Sequence, residues 1–265
     1  NLFNAGKFES VILKSKTLLR KFPEYLILYN ILGSAYQNSG DLDLAEDIFI
    51  KGHKRDPNNI AIMNNLANVY KNIGKLKSSE DLFQKIIRKD SSYINAYINL
   101  GNLKRDNNDF EASINLYSKA LSIDNKIPVT LYSLALAHQG LGSFNEAIEY
   151  AKKALLLDET FTQADMLISQ STKYTPNNAH YLQMTSKIKN QEMNDNQKIN
   201  LLFALAKANE DIGEIEKSFG NLQLGNKIKR ESISFNVNNE INFFNKLKKI
   251  FKKIKFSTIL KENIG

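Results

Sequence analysis

A glycine or asparagine followed two positions later by a large apolar residue recurs through this chain at a fixed interval. Gly6 with Phe8, Gly40 with Leu42, Gly74 with Leu76, Asn108 with Phe110 and Gly142 with Phe144 each stand 34 residues from the next. A second landmark keeps the same phase: Pro23, Pro57, Ser91, Asn125 and Glu159, usually preceded by an acidic residue. Proline stops a helix because it lacks an N–H and restricts the residue before it. Two stops in every period divide the chain into pairs of short helices. A pair this small cannot bury its own apolar faces, so the chain is constrained to a linear stack in which each pair packs on its neighbours.

The apolar pattern supports that reading. In the first helix of the unit 60–93, Met63, Leu66, Ala67 and Tyr70 fall at i, i+3, i+4 and i+7, one face of a 3.6-residue period. Gly33, Ala67, Gly101 and Ala135 recur in phase, leaving room for the paired helix, while Phe49, Phe83, Tyr117 and Leu100 fill the remaining space. Units 26–59, 60–93, 94–127 and 128–161 are complete. Residues 1–5 supply only the end of a first helix, with Leu2 where Tyr36 and Tyr70 stand later, and residues 7–21 supply its partner. After Glu159 the phase slips. The pattern predicts a helix over 160–173, another over about 176–190 with Thr175 as N-cap and Pro176 in its first turn, and a last hairpin carrying Leu202, Leu205, Ala206, Gly213, Ile215 and Ser218. A final helix is expected over about 238–256.

Tyr29, Leu32-Gly33, Tyr36, Gly40, Ala45, Phe49, Gly52 and Pro57 resemble the tetratricopeptide pattern residue by residue. The resemblance implies an all-α fold, a right-handed superhelix or α-solenoid of about six helical hairpins with a C-terminal capping or linker helix. It divides the chain into a regular array at 1–161, a degenerate hairpin plus a last hairpin at 162–230, and a basic amphipathic segment at 231–265. The chain opens with Asn1 inside what the period makes a first helix, so a longer parent polypeptide is expected.

In such superhelices the first helices line the concave side, and their fifth, sixth, ninth and twelfth positions point into it. Here those positions include Asn30, Asn64, Asn65, Asn68, Lys71, Asn99, Asn102, Arg105 and Tyr132. An amide side chain offers both a donor and an acceptor, so a row of Asn can bond the main chain of an extended peptide whatever its side chains. The pairs Asn65/Asn68 and Asn99/Asn102 resemble the asparagine ladder in the repeat domain of O-GlcNAc transferase.

Little in the sequence points to catalysis. The chain has no Cys and three His, of which His53 and His138 fall inside repeat helices and His180 in the degenerate hairpin. None has the partners a metal site needs, so no metal or other cofactor is expected. Gly220 and Gly225 have the spacing of a phosphate loop, but they lie in a helical stretch and Asn226-Lys227 follows where Lys-Ser or Lys-Thr belongs. No apolar run approaches the ~20 residues of a membrane helix, and no signal peptide is evident, so a cytoplasmic location is expected.

Of the net charge of +8, residues 226–265 hold +7, from nine Lys and one Arg against three Glu. The apolar stripe of the final helix, Phe243, Phe244, Leu247, Ile250, Phe251 and Ile254, is accompanied by Lys246, Lys248, Lys249, Lys252, Lys253 and Lys255. Such a helix can cover the open end of the last repeat or the face of a following domain, as terminal repeats require. It can also rest on an anionic membrane surface. Nucleic acid is the weaker partner, because no base-stacking platform accompanies the lysines.

Residues 203–213, then Lys217-Ser218-Phe219, then Gly225 to Arg230, resemble the last repeat of bacterial tetratricopeptide-sulfotransferase proteins. Tyr174-Thr175-Pro176-Asn177 and the Phe243-Phe244 helix sit where that family has similar segments. The resemblance implies that this chain is the non-catalytic N-terminal, substrate-recruiting part of such a protein. A sulfotransferase domain with a Pro-Arg-Ser-Gly-Thr-like loop would follow it, and the chain's partners would be proteins or extended peptides and that domain.

Overall fold

The structure, a computed structural model, describes residue 3 and residues 6–190, 192–233 and 237–253, the side chains of 238, 239, 252 and 253 excepted. All the regular structure among them is helical. The chain divides into two compact units, Asn1–Lys173 and Tyr174–Gly265.

The first unit opens with α1 (Phe8–Lys21) and continues as four hairpins. These are α2 (Leu26–Ser39) with α3 (Leu42–Arg55), α4 (Ile60–Asn72) with α5 (Leu76–Lys89), α6 (Ile94–Asp106) with α7 (Phe110–Ile123), and α8 (Pro128–Gly140) with α9 (Phe144–Leu157). A short helix, α10 (Thr162–Ser171), packs on α9 and α8 and ends the unit. Leu2 lies outside the described residues.

The landmark turns have one local cause. Gly40, Gly74 and Gly142 take φ of 89°, 80° and 83°, and Asn108 holds the same left-handed place at 62°. Glycine takes that backbone without steric cost, and asparagine is among the few other residues that tolerate it. Each turn closes with a bond spanning five residues: Asp41 N–H donates to the Tyr36 carbonyl at 2.9 Å, Lys75 to Tyr70 at 2.8 Å, Asp109 to Lys104 at 2.9 Å and Ser143 to His138 at 2.9 Å. The next helix therefore starts on Leu42, Leu76, Phe110 and Phe144, as the spacing predicts. Between hairpins the acidic residues act the same way each time. The Oδ1 atoms of Asp56, Asp90, Asp124 and Asp158 accept, at 2.9 Å, the N–H two residues on.

Packing follows from the alternation of small and large residues at matching repeat positions. Phe49, Phe83 and Tyr117 are completely buried. A Cβ on Gly33 would lie 2.6 Å from the Phe49 ring, and one on Gly101 would lie 2.6 Å from the Tyr117 ring. Burying each of these side chains is worth roughly 1.5 to 3 kcal/mol, so the small residue opposite secures a large share of each hairpin's stability. Successive first helices also touch one another: α2 meets α4, α4 meets α6, α6 meets α8, and α8 meets α10. Successive second helices make no comparable contact among the described residues, so this unit curves with its first helices on the inner side.

The second unit holds α11 (Ala179–Lys187), the hairpin of α12 (Asp195–Asp211) and α13 (Ile215–Ser232), and α14 (Val237–Lys253). Gly213 has φ 83° and Glu214 N–H donates to the Asn209 carbonyl at 2.9 Å, the same turn as in the first unit. Gly225 takes the ring of Phe203, which would lie 2.8 Å from an added Cβ. Gly220 and Gly225 both lie within α13, which fits the rejection of a phosphate loop. The expectation for α11 needs correction. Asn178, not Thr175, is the N-cap, its side chain accepting from the backbone N–H groups of His180 and Tyr181. Pro176 lies in a preceding turn closed by Asn178 N–H to the Thr175 carbonyl at 3.0 Å. Two capping residues stand three positions apart, and the one that caps two N–H groups sets the start.

Candidate functional site on the first helices

The asparagines at the inner positions of α2, α4 and α6 form a linked row. Asn65 Nδ2 donates to Asn30 Oδ1 at 3.3 Å, and Asn99 Nδ2 donates to Asn64 Oδ1 at 2.9 Å. Both bonds cross from one hairpin to the next with a step of 35 residues, one more than the repeat. A residue at the fifth position of one first helix thus meets the sixth position of the next. The row stops at α6 because the next fifth position is Ile98, which has no amide.

These bonds fix which polar atoms remain for a ligand. Asn64 is buried, at 8% exposure, and serves the neighbouring helix. Asn65 and Asn99 keep their Oδ1 atoms, because each uses only its amide nitrogen on the row. Asn102 accepts the Tyr117 hydroxyl on Oδ1 at 2.8 Å and keeps its Nδ2. Asn68 has no side-chain bond among the described residues. A row presenting acceptors at Asn65 and Asn99 and donors at Asn102, with both at Asn68, matches the alternating C=O and N–H groups of an extended peptide.

The charged end of the row is more balanced than its residue types suggest. Lys71 Nζ lies 3.2 Å and the Arg105 guanidinium 3.1 Å from the same carboxylate, Asp106. Two cations sharing one anion leave a net single positive charge, and pairs this exposed contribute little to stability. Beside them Tyr132 packs edge to face on Phe161, with ring centroids 5.3 Å apart. Burial raises the Tyr132 phenol above its ordinary value, against the lowering effect of Arg105. The Tyr117 phenol is pushed up to about 12, mainly by burial, again with Arg105 opposing.

The remaining candidates divide. Among the described residues no group of three His, Cys, Asp or Glu is placed to hold a metal. His53 and His138 each have a buried Nδ1 with no hydrogen-bond partner, and burial is the largest cause lowering both below the ordinary histidine value. The Nδ1 of His180 lies 2.7 Å from the Tyr174 hydroxyl. Tyr174 N–H donates to Asp211 Oδ2 at 3.0 Å, and Lys207 pairs with Asp211, so this cluster ties the start of the second unit to α12. Of the basic tail, Lys246, Lys248 and Lys249 are exposed on α14. Lys252 and Lys253 belong to the same helix, and their side chains, with Lys255 entirely, lie outside the described residues.

Family models described as tetratricopeptide repeat match residues 27–59 and 129–161, and 60–89, and one described as TPR repeat matches 101–142. The segments 27–59, 60–89 and 129–161 each start within one residue of the first residue of α2, α4 or α8. The matched segments are tetratricopeptide repeats. Among solved structures the chain is similar to MamA, at 26% identity and a TM-score of 0.50, over 60% of this chain and 87% of that one. It is also similar to PilF of Pseudomonas aeruginosa, at 20% identity and a TM-score of 0.59, over 75% of this chain and 90% of that one. A third likeness is to the C-terminal part of a TPR repeat-containing protein of Cytophaga hutchinsonii, at 15% identity and a TM-score of 0.58, covering 84% and 90%. At these identities the last two show the fold alone. No curated protein matches.

Proposed function

We propose that this tetratricopeptide array is a non-catalytic interaction module that holds an extended segment of a partner protein along α2, α4 and α6. The observation that carries this reading is the pair of interhelical amide bonds, Asn65 to Asn30 and Asn99 to Asn64. They hold side-chain amides in fixed orientation across three hairpins, so a bound backbone meets preorganised partners and less freedom is lost on binding. Main-chain recognition makes the module tolerant of sequence, and the single net charge at Lys71, Arg105 and Asp106 adds a weak preference for acidic segments. The experiment is a peptide array screened with the intact chain, followed by hydrogen exchange on the complexes. Protection concentrated on α4 and α6 supports the assignment, and protection confined to other helices refutes it.

The order and spacing of residues 174–244 support a context for the module, the recruitment of acceptor proteins to a sulfotransferase domain on the same polypeptide. The reading of the coding DNA beyond Gly265 decides this: a strand followed by a Pro-Arg-Ser-Gly-Thr-like loop supports it, and an unrelated continuation or a stop codon leaves a scaffold without an enzyme.

A further inference from the structure

Helix α14 carries an apolar face that is exposed along the described residues. Ile241, Phe243, Phe244, Ile250 and Phe251 are each more than half exposed. At 100° per residue they and Leu247 span about half the helix circumference. Lys246 and Lys249 lie on the opposite half, and Lys248 sits at the margin, lining one shallow depression with Phe244, Leu247 and Phe251. From Lys246 to Lys253 the sequence holds five Lys and no acidic residue, whereas residues 1–225 carry only +1.

We propose that α14 lies along an anionic lipid surface, with its phenylalanines in the outer acyl region and its lysines at the phosphate level. The two halves of the helix demand different surroundings, and a charged lipid surface supplies both at once. A nucleic acid would meet the ammonium groups and leave the phenylalanines in water. Lys248, at the margin, can lay its methylene stem along the stripe and raise its charge to the headgroups. The helix rests on the surface and does not cross it: no described helix is long and apolar enough to span a membrane. This inference is independent of the peptide groove, since it uses no residue of the first unit.

The test is co-sedimentation of the intact chain with phosphatidylcholine vesicles prepared with and without phosphatidylserine. Two variants accompany it, Phe243→Ser with Phe244→Ser, and Lys246→Gln with Lys248→Gln and Lys249→Gln. All five substituted side chains are exposed, so far-UV circular dichroism should report the same array in each. The wild type should bind only the serine-containing vesicles, more weakly as salt rises. Each surface-adjacent Lys contributes roughly fivefold, so the triple variant should bind about a hundredfold more weakly. The phenylalanine variant should lose binding with every lysine in place. Failure of the wild type to sediment with anionic vesicles overturns the proposal, and so does undiminished binding of the phenylalanine variant, which would reduce the contact to charge alone.

Discussion

Asn99 donates its side-chain amide to the buried Oδ1 of Asn64 at 2.9 Å, joining α6 to α4 across a hairpin boundary. The bond does two things at once: it satisfies a polar atom that the stack has removed from water, and it orients Asn99 toward the inner side. Asn99→Ala should therefore cost about 1 to 2 kcal/mol, because it strands a buried acceptor. Asn68→Ala, which breaks no bond, should stay within about 0.5 kcal/mol of wild type. Urea melts of the two variants check the difference.

Two glycines in helices should respond with opposite sign to the same substitution. Gly101→Ala places a methyl 2.6 Å from the buried Tyr117 ring and should destabilise by about 1 to 3 kcal/mol, more than the gain in helix propensity. Gly220→Ala meets nothing within 4 Å on α13 and should stabilise by about 0.5 to 1 kcal/mol. Thermal melts giving the same sign for both would remove close approach as the reason for Gly101.

Leu100 is 4% exposed in the middle of the array, packed with Met63, Phe83 and Leu103. Leu100→Ala should cost about 2 to 5 kcal/mol in denaturant melts.

Acid sensitivity should trace in part to His138. Burial lowers its folded-state value below 6.5, Glu146 opposes, and its Nδ1 is unpartnered beside the stacked Tyr150 ring. The unfolded chain then binds a proton that the folded chain resists. This contribution to stability is full above about 6.5 and is lost as pH falls below it. His138→Tyr restores the residue type that Tyr36 and Tyr70 show at this repeat position. Stability measured against pH should fall less steeply on the acid side in that variant.

The turns were legible in the sequence because their chemistry is local. A left-handed residue at Gly40 or Asn108 needs no distant partner, so spacing alone placed the starts of α3 and α7. The start of α11 was misplaced because Thr175 and Asn178 both carry N-cap chemistry and only geometry shows which one reaches two N–H groups. The inner row was legible as positions but not as bonds. Comparing residues at steps of 34 aligns Asn30 with Asn64 and Asn65 with Asn99, whereas the stagger of packed helices joins Asn30 to Asn65 and Asn64 to Asn99. For the same reason spacing could not show Asp106, which half neutralises Lys71 and Arg105 from just beyond the inner positions, or the Tyr117 hydroxyl, which takes up one face of Asn102.

The central claim is that the first helices bind a main chain. Calorimetric titration of array-selected peptides into wild type and into Asn65→Ala/Asn68→Ala tests it most directly, since Asn102 is left in place to hold Tyr117. Each lost bond is worth about 0.5 to 1.5 kcal/mol, so peptides of unrelated sequence should all bind about tenfold more weakly, while the melting temperature falls by no more than about 2 to 4 °C for the lost bond to the half-buried Asn30. Unchanged affinity in the double variant, with binding lost instead when residues 237–265 are removed, would contradict the account.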